Sequence, residues 1–257
     1  MSQPPAVPGI RHQYGSHPDQ FGHFYPGNAE SGATIALVHG GFWRAHRDLT
    51  MLVPVAADLT RRGWHVWNIE YRRGRSWHDT LADCAVALDY LGDLAAGFDL
   101  DTERVVMLGH SAGGHLVTWC AGRAPAARRA GSPLPKIVPA GVVSAAGVLD
   151  LAQAFRWGIG ERAVTEFLGG SPDEVPDAFR QADPMARLPT GVRLRCLHGP
   201  DDERVPVELS HRYARAARAN GDDVTVTEVP GNHADIIDVG HPAWRAVVDA
   251  VGRLATY

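Results

Sequence analysis

With 257 residues, 45% of them hydrophobic and 21% charged, the chain is long enough to bury a full core without disulfide or metal staples, and α/β folds commonly reach this size as one unit. Its formal charge of −4, from 25 Lys plus Arg against 29 Asp plus Glu, is too small a field to steer it toward nucleic acid or acidic lipid, so a small-molecule partner is expected. No apolar run approaches the length of a membrane span, and Cys84, Cys120 and Cys196, odd in number and without a C-x-x-C pair, read as buried hydrophobes rather than disulfides or zinc ligands.

Met1 to Gly9 contains Pro4, Pro5 and Pro8 and no apolar stretch, so residues 1–15 are expected to form an extended arm without a secretory signal, and the protein is expected in the cytoplasm. From there a single domain over 1–257 is expected. A buried strand is predicted at 34–38, followed by a helix carrying Leu52, Val55 and Leu59 on one face. A strand at 65–69 precedes a second helix, in which Trp77, Leu81, Cys84, Leu88 and Leu91 step by four and three. Strands follow at 104–108 and 140–144. Residues 149–189 break the alternation: they are poor in strand pattern and rich in Trp, Phe, Gly and Pro, which fits either a cap over a site or an irregular surface connection. Strands at 192–197 and 224–229 lead to a last helix, with Trp244, Val247, Val248, Val251 and Leu254 on one face. Strands alternating with helices imply a mostly parallel sheet covered on both faces, with the site beyond the strands' carboxyl ends.

Gly109-His110-Ser111-Ala112-Gly113 fits G-x-S-x-G, directly after one predicted strand and before the apolar stretch from Leu116 to Cys120. That context suits a nucleophile elbow, a turn so sharp that its flanks tolerate little side chain and the serine hydroxyl is left exposed. His39-Gly40-Gly41-Phe42-Trp43 follows another strand. Its glycines let backbone N–H groups turn inward, so donors from Gly41 or Phe42, together with Ala112, would hold the negative charge of a tetrahedral intermediate. The stretch from His198 to Pro206 offers three adjacent acids, Asp201, Asp202 and Glu203, one of which would orient an imidazole. Of thirteen histidines, His233 follows the last strand, so the chain order is Ser, acid, His, as in α/β-hydrolases.

On these residues the chain resembles the esterase/lipase and arylformamidase branch of α/β-hydrolases, over roughly residues 20 to 255. The resemblance implies an α/β-hydrolase fold and makes Asp202, fifth in the H-G-x-x-D stretch, the acid of a triad with Ser111 and His233. Asp201 and Glu203 are then surface neighbours. The H-G-G-x-W form with Trp43, and Gly-His-Ser-Ala-Gly-Gly-His-Leu at the elbow, resemble kynurenine formamidases more than the H-G-G-G esterases. Trp43, Phe155 and Trp157 are candidates for an aromatic substrate pocket, with His110, beside the nucleophile, as a further substrate contact.

The implied chemistry is acyl transfer. Ser111 attacks an acyl carbonyl, His233 takes its proton, and water hydrolyses the acyl-enzyme, with no metal or organic cofactor required. An aryl formamide such as N-formylkynurenine is the expected substrate. The alternatives are a short-chain carboxylesterase, a biosynthetic deacylase or acyltransferase and, from a different class, a non-catalytic ligand-binding receptor on the same fold.

Overall fold

Alternation along the strands divides the core into two layers. In β1 (Ile10–Gln13), β2 (Phe21–Tyr25) and β3 (Thr34–Val38) the apolar content rises toward the sheet centre, and in β3 Ile35 and Leu37 face one layer while Ala36 and Val38 face the other. β4 (His65–Ile69) and β5 (Val105–His110) are likewise buried along their whole length, as strands of a doubly covered parallel sheet must be. β6 (Gly141–Ala145), β7 (Arg193–His198) and β8 (Val224–Glu228) complete the sheet. The structure is a computed structural model that describes residues 9–28, 33–74 and 76–256. Its strand order is β1-β2-β4-β3-β5-β6-β7-β8. The β1–β2 and β2–β4 pairs are antiparallel and all the others parallel.

The helices are α1 (Val53–Arg61), α2 (Trp77–Asp89), α3 (Leu91–Phe98), α4 (Ala112–Ala121), α5 (Arg123–Ala130), α6 (Leu151–Arg156), α7 (Ala163–Leu168), α8 (Pro176–Ala182), α9 (Glu208–Ala219) and α10 (Pro242–Ala255). The apolar faces of α1 and α10 cover one side of the sheet, and those of α2, α3, α4 and α9 cover the other. The expected architecture, a mostly parallel sheet with helices on both faces, is what the chain adopts. Cys84, Cys120 and Cys196 are all buried and carry no disulfide. Among the described residues no helix is long and apolar enough to cross a membrane.

Residues 1–8 of the expected arm lie outside the described residues, but Ile10–Gln13 is a paired edge strand, in register with β2 from Ile10 opposite Phe24 to Gln13 opposite Phe21. Its sequence, Ile-Arg-His-Gln, has little strand character. Tertiary contacts hold the hairpin instead: Phe24 is fully buried against Phe98, ring centroids 4.4 Å apart, and the Tyr14 hydroxyl donates to the Glu70 carbonyl oxygen at 2.6 Å. The 149–189 segment is helical rather than irregular, containing α6, α7, α8 and a 3-10 turn at Pro184–Arg187.

The turn between β5 and α4 is packed as tightly as backbone allows. A Cβ on Gly113 would lie 2.0 Å from the Val38 carbonyl oxygen, and one on Gly109 2.2 Å from the Gly113 carbonyl oxygen. Neither neighbour is a flexible side chain that could yield. Gly92, in α3, has nothing within 4 Å of such a Cβ. Gly113→Ala is therefore expected to cost more than about 3 kcal/mol or to prevent folding. Gly92→Ala should instead stabilise by about 0.4–1 kcal/mol, because it only removes backbone freedom from the unfolded chain. Urea unfolding of both variants checks this, and similar effects from the two would refute the packing argument.

Candidate active site

Ser111 sits at φ 57° and ψ −120°, a conformation few non-glycine residues adopt, at the junction of β5 and α4. Three backbone bonds hold it there. Its N–H donates to the Ala145 carbonyl oxygen at the end of β6 (2.9 Å), and its own carbonyl accepts from the His115 and Val148 N–H groups at 3.2 and 3.4 Å. The strain is thus overdetermined by the two central strands and by the glycines that flank the turn.

After β3, three successive residues have positive φ: Gly41 at 113°, Phe42 at 53° and Trp43 at 56°. Gly41 and Phe42 line the same cavity as Ser111, of about 400 Å³. Ala112, the first residue of α4, lies next to the serine. This loop is fastened from below by a buried carboxylate. Glu70, just beyond β4, accepts from His39 Nε2–H at 3.0 Å, from the Tyr71 N–H at 2.9 Å, from the Leu49 N–H at 3.0 Å and from Arg73. The Tyr71 hydroxyl donates to the His39 carbonyl oxygen at 2.8 Å.

His233, in the loop after β8, presents Nδ1–H to Asp202 Oδ2 at 2.7 Å, and its ring lines the cavity with Ser111. Asp202 is itself satisfied on every side. Its Oδ1 accepts the Arg204 and Val205 N–H groups, both at 2.9 Å, and its Oδ2 also faces His198 Nε2 at 3.2 Å. Burial alone would raise this carboxyl, but the hydrogen bonds from His198 and His233, the Val205 N–H and the charge of His233 outweigh it and hold the acid well below the usual carboxylate range. Asp201 and Glu203 are exposed.

His110 lines the cavity, yet its Nε2–H is committed to the His233 carbonyl oxygen at 2.8 Å. Burial, reinforced by the neighbouring His233, pushes its pKa down to about 3, so it is a neutral clamp on the His233 loop at ordinary pH. The expected aromatic pocket is not assembled. Trp43 is buried under the loop, stacked on Phe167 at 4.4 Å, and its indole N–H donates to His115 Nδ1 at 3.2 Å. Phe155 packs edge-on to Phe179 in the 149–189 helices, and Trp157 is exposed. None of the three is among the described residues lining the Ser111 cavity. Apart from histidines, its aromatic member among the described residues is Phe42, whose ring closes on Gly160: a Cβ there would lie 2.5 Å from Phe42 Cε1.

No residue of 149–189 is among the described lining either. The segment flanks the cavity and grips the loop after β3 through Arg44 Nε to Glu166 Oε2 at 2.9 Å and Phe167 on Trp43, and it holds α4 through His115 Nε2–H to the Ala182 carbonyl oxygen at 2.9 Å. Sequence alone assigns no role to Glu70 or His198. His198 opens the very stretch that contains Asp202, and Glu70 is an acid at the carboxyl end of a buried strand, which is the one signal that marks it. Among the described residues, no group of three or more His, Cys, Asp or Glu side chains is placed to hold a metal ion. A larger groove of about 630 Å³ lies between α10 and the β7–β8 edge, but it contains none of these candidate residues.

The BD-FAE family model matches residues 24–216. The chain is 27% identical over 223 residues to acylamino-acid-releasing enzyme 2 of Oryza sativa subsp. japonica, covering 79% of this chain and 27% of that protein. It thus spans less than a third of the length of the curated relatives it matches. Among solved structures it is similar to a truncated carbohydrate esterase from gut microbiota, with TM-score 0.79 and 19% identity over 98% of this chain and 97% of that one. It is also similar to a thermophilic esterase of Thermogutta terrifontis with butyrate bound, with TM-score 0.74 and 20% identity over 95% and 92% of the two chains. At such identities the structural likeness carries the fold.

The lowered Asp202 carboxyl has a stability consequence of definite sign. A carboxylate depressed in the folded state stabilises it above the unfolded-state value of about 3.9, and that contribution is lost as pH falls toward the folded-state value. Asp202→Asn is therefore expected to cost about 1–3 kcal/mol at neutral pH, and its deficit relative to wild type should shrink below about pH 4. Urea midpoints of both proteins across that range test this; a deficit that stays constant or grows on acidification would contradict the hydrogen-bonded carboxylate.

Proposed function

The chain belongs to the BD-FAE family, within the α/β-hydrolase superfamily, and from that premise we propose that it is a serine hydrolase acting on an ester or amide of a small molecule through an acyl-enzyme. The observation that carries the reading is the 2.7 Å bond from His233 to a multiply hydrogen-bonded Asp202, with the His233 ring and the strained Ser111 on one cavity. In this reading Ser111 attacks the acyl carbon, His233 takes the serine proton and passes it to the leaving group, and Asp202 stabilises the imidazolium. The carbonyl oxygen becomes an anion that the Ala112 N–H and the Gly41 or Phe42 N–H receive. Water then repeats the sequence on the acyl-enzyme, releasing the acid and restoring the serine.

Within this class we favour a small acyl group on an aryl leaving group, with an aryl formamide as the first substrate to try. Two features support it. The H-G-G-x-W stretch resembles that of kynurenine formamidases, and Phe42 narrows the cavity beside the loop that would hold the oxyanion. Trp43 has no part in that restriction, because it is buried beneath the loop. A short-chain carboxylesterase is the second reading, favoured by structural neighbours described as esterases, one of them with butyrate bound. Both readings need a short acyl side.

Ser111→Ala should fold normally and lose several orders of magnitude in turnover, and a fluorophosphonate probe should label the wild-type serine alone. Asp202→Asn should lower kcat by about 10³–10⁴, with Asp201→Asn close to wild type. Absence of labelling on folded protein would favour the ligand-binding receptor, and a larger loss at Asp201 would move the acid by one residue.

The acyl restriction has its own test. Wild-type kcat/KM should fall from formyl or acetyl to butyryl and octanoyl substrates, by about 1 kcal/mol or more of transition-state binding for each methylene that does not fit. Phe42→Ala should flatten that series. An optimum at butyryl or longer, with no formamide turnover, would eliminate the formamidase reading and leave the carboxylesterase.

A further inference from the structure

The Ser111 cavity carries a charge pattern opposite to that of the chain. Its described lining contains Arg44, Arg47, Arg204 and His46 and no Asp or Glu, although the whole chain is formally −4. Arg44 is already compensated, since it is paired with Glu166 at 2.9 Å and also donates to the Gly160 carbonyl oxygen at 3.1 Å. Arg47 and Arg204 have no ion-pair partner among the described residues. Glu161 and Glu203 border the adjoining mouth with Arg204 but make no ion pair with it.

Both cations belong to loops that carry candidate catalytic groups. The Arg47 stem crosses the loop after β3: a Cβ on Gly41 would lie 2.4 Å from Arg47 Cβ and 2.5 Å from its Cγ. Arg204 is two residues beyond Asp202 and is tied to it by its N–H at 2.9 Å. Arg47 and Arg204 therefore line one cavity from separate loops, each fixed at its base.

We propose that Arg47 and Arg204 form an anion subsite, and that the natural substrate is an ester or amide bearing a carboxylate on the part that fills this cavity. The proposal rests on the serine-hydrolase reading above and adds the substrate's charge. Guanidinium groups match carboxylates in geometry and remain charged at all working pH values. Both side chains are exposed, so the attraction acts at the rim, where it raises capture of an anionic substrate and is weakened by salt.

The test compares 4-acetoxybenzoate with its neutral methyl ester and with 4-acetoxybenzyltrimethylammonium, each kcat/KM being divided by the hydroxide-catalysed rate of the same ester. Wild type should prefer the anion over the neutral ester by about tenfold at low salt, and by much less at about 0.5 M NaCl. The ratio should approach one in the Arg47→Gln, Arg204→Gln double variant, and Arg204→Glu should shift preference toward the cationic ester. Ser111-dependent turnover with no anion preference in wild type would overturn the subsite and leave the hydrolase reading intact. If no ester is turned over beyond the Ser111→Ala level, that reading fails instead. Calorimetry with 4-hydroxybenzoate and 4-hydroxybenzamide then decides the subsite: tighter carboxylate binding, lost in the double variant, supports it, and equal binding refutes it.

Discussion

The close approach of α4 to β3, with Gly113 against the Val38 carbonyl oxygen, is the constraint on which the site depends. Without a side chain at Gly113 the helix lies directly on the central strands, and the turn feeding it must be sharp. Ser111 is therefore driven into its positive-φ conformation and raised at the strands' carboxyl ends. The same approach brings the loop after β3 alongside the serine: a Cβ on Gly40 would lie 2.9 Å from Ser111 Cβ. Ser111 and the backbone N–H groups beside it are thus brought together by one backbone contact, independently of any polar side chain.

Polar groups then fix what the backbone contact leaves free. Glu70 and Asp202 are both carboxylates removed from solvent, which is tolerable only because every oxygen has donors. They serve different loops. Glu70 fastens His39 and Leu49, and so the backbone that precedes Gly41, while Asp202 fixes the tautomer and direction of the His233 ring. His110 links the two halves, being adjacent to Ser111 in the chain and bonded to the His233 backbone. A shift of either loop would leave a buried charge short of donors, and this penalty preorganises the cavity.

Legibility in the sequence followed the physics that acts on each element. The central strands were readable because both their faces are buried, so their residues are apolar whatever lies around them; the predicted runs 34–38 and 65–69 coincide with β3 and β4. The strand predicted at 104–108 ends early, because β5 continues through Gly109 and His110, residues whose composition signals a turn. The β1–β2 hairpin was illegible, since Phe24 and Tyr14 stabilise it through distant partners while its outer strand is polar. At the site, Ser111, Asp202 and His233 stood out through strand–loop context. The sequence does not separate the places of Trp43, Phe155 and Trp157, because an aromatic side chain looks alike there whether it packs in the core or lines a cavity. Glu70's place at a strand end is legible, but its role is not, because its partners His39 and Leu49 lie 31 and 21 residues away and join Tyr71 and Arg73 only in the fold.

The 149–189 helices show how packing and electrostatics meet at this cavity. They contribute no described residue to its lining, yet they determine the state of two residues beside it. Phe167 and the Trp43–His115–Ala182 hydrogen-bond chain hold Trp43 outside the described lining of the Ser111 cavity, and burial keeps the linking imidazole neutral by lowering the pKa of His115 to about 4. Glu166 compensates Arg44 and leaves Arg47 and Arg204, among the described lining residues, as arginines without an ion pair. Packed in this way, the segment decides which aromatic is core and which lines the cavity, and where the positive charge of the described lining is concentrated.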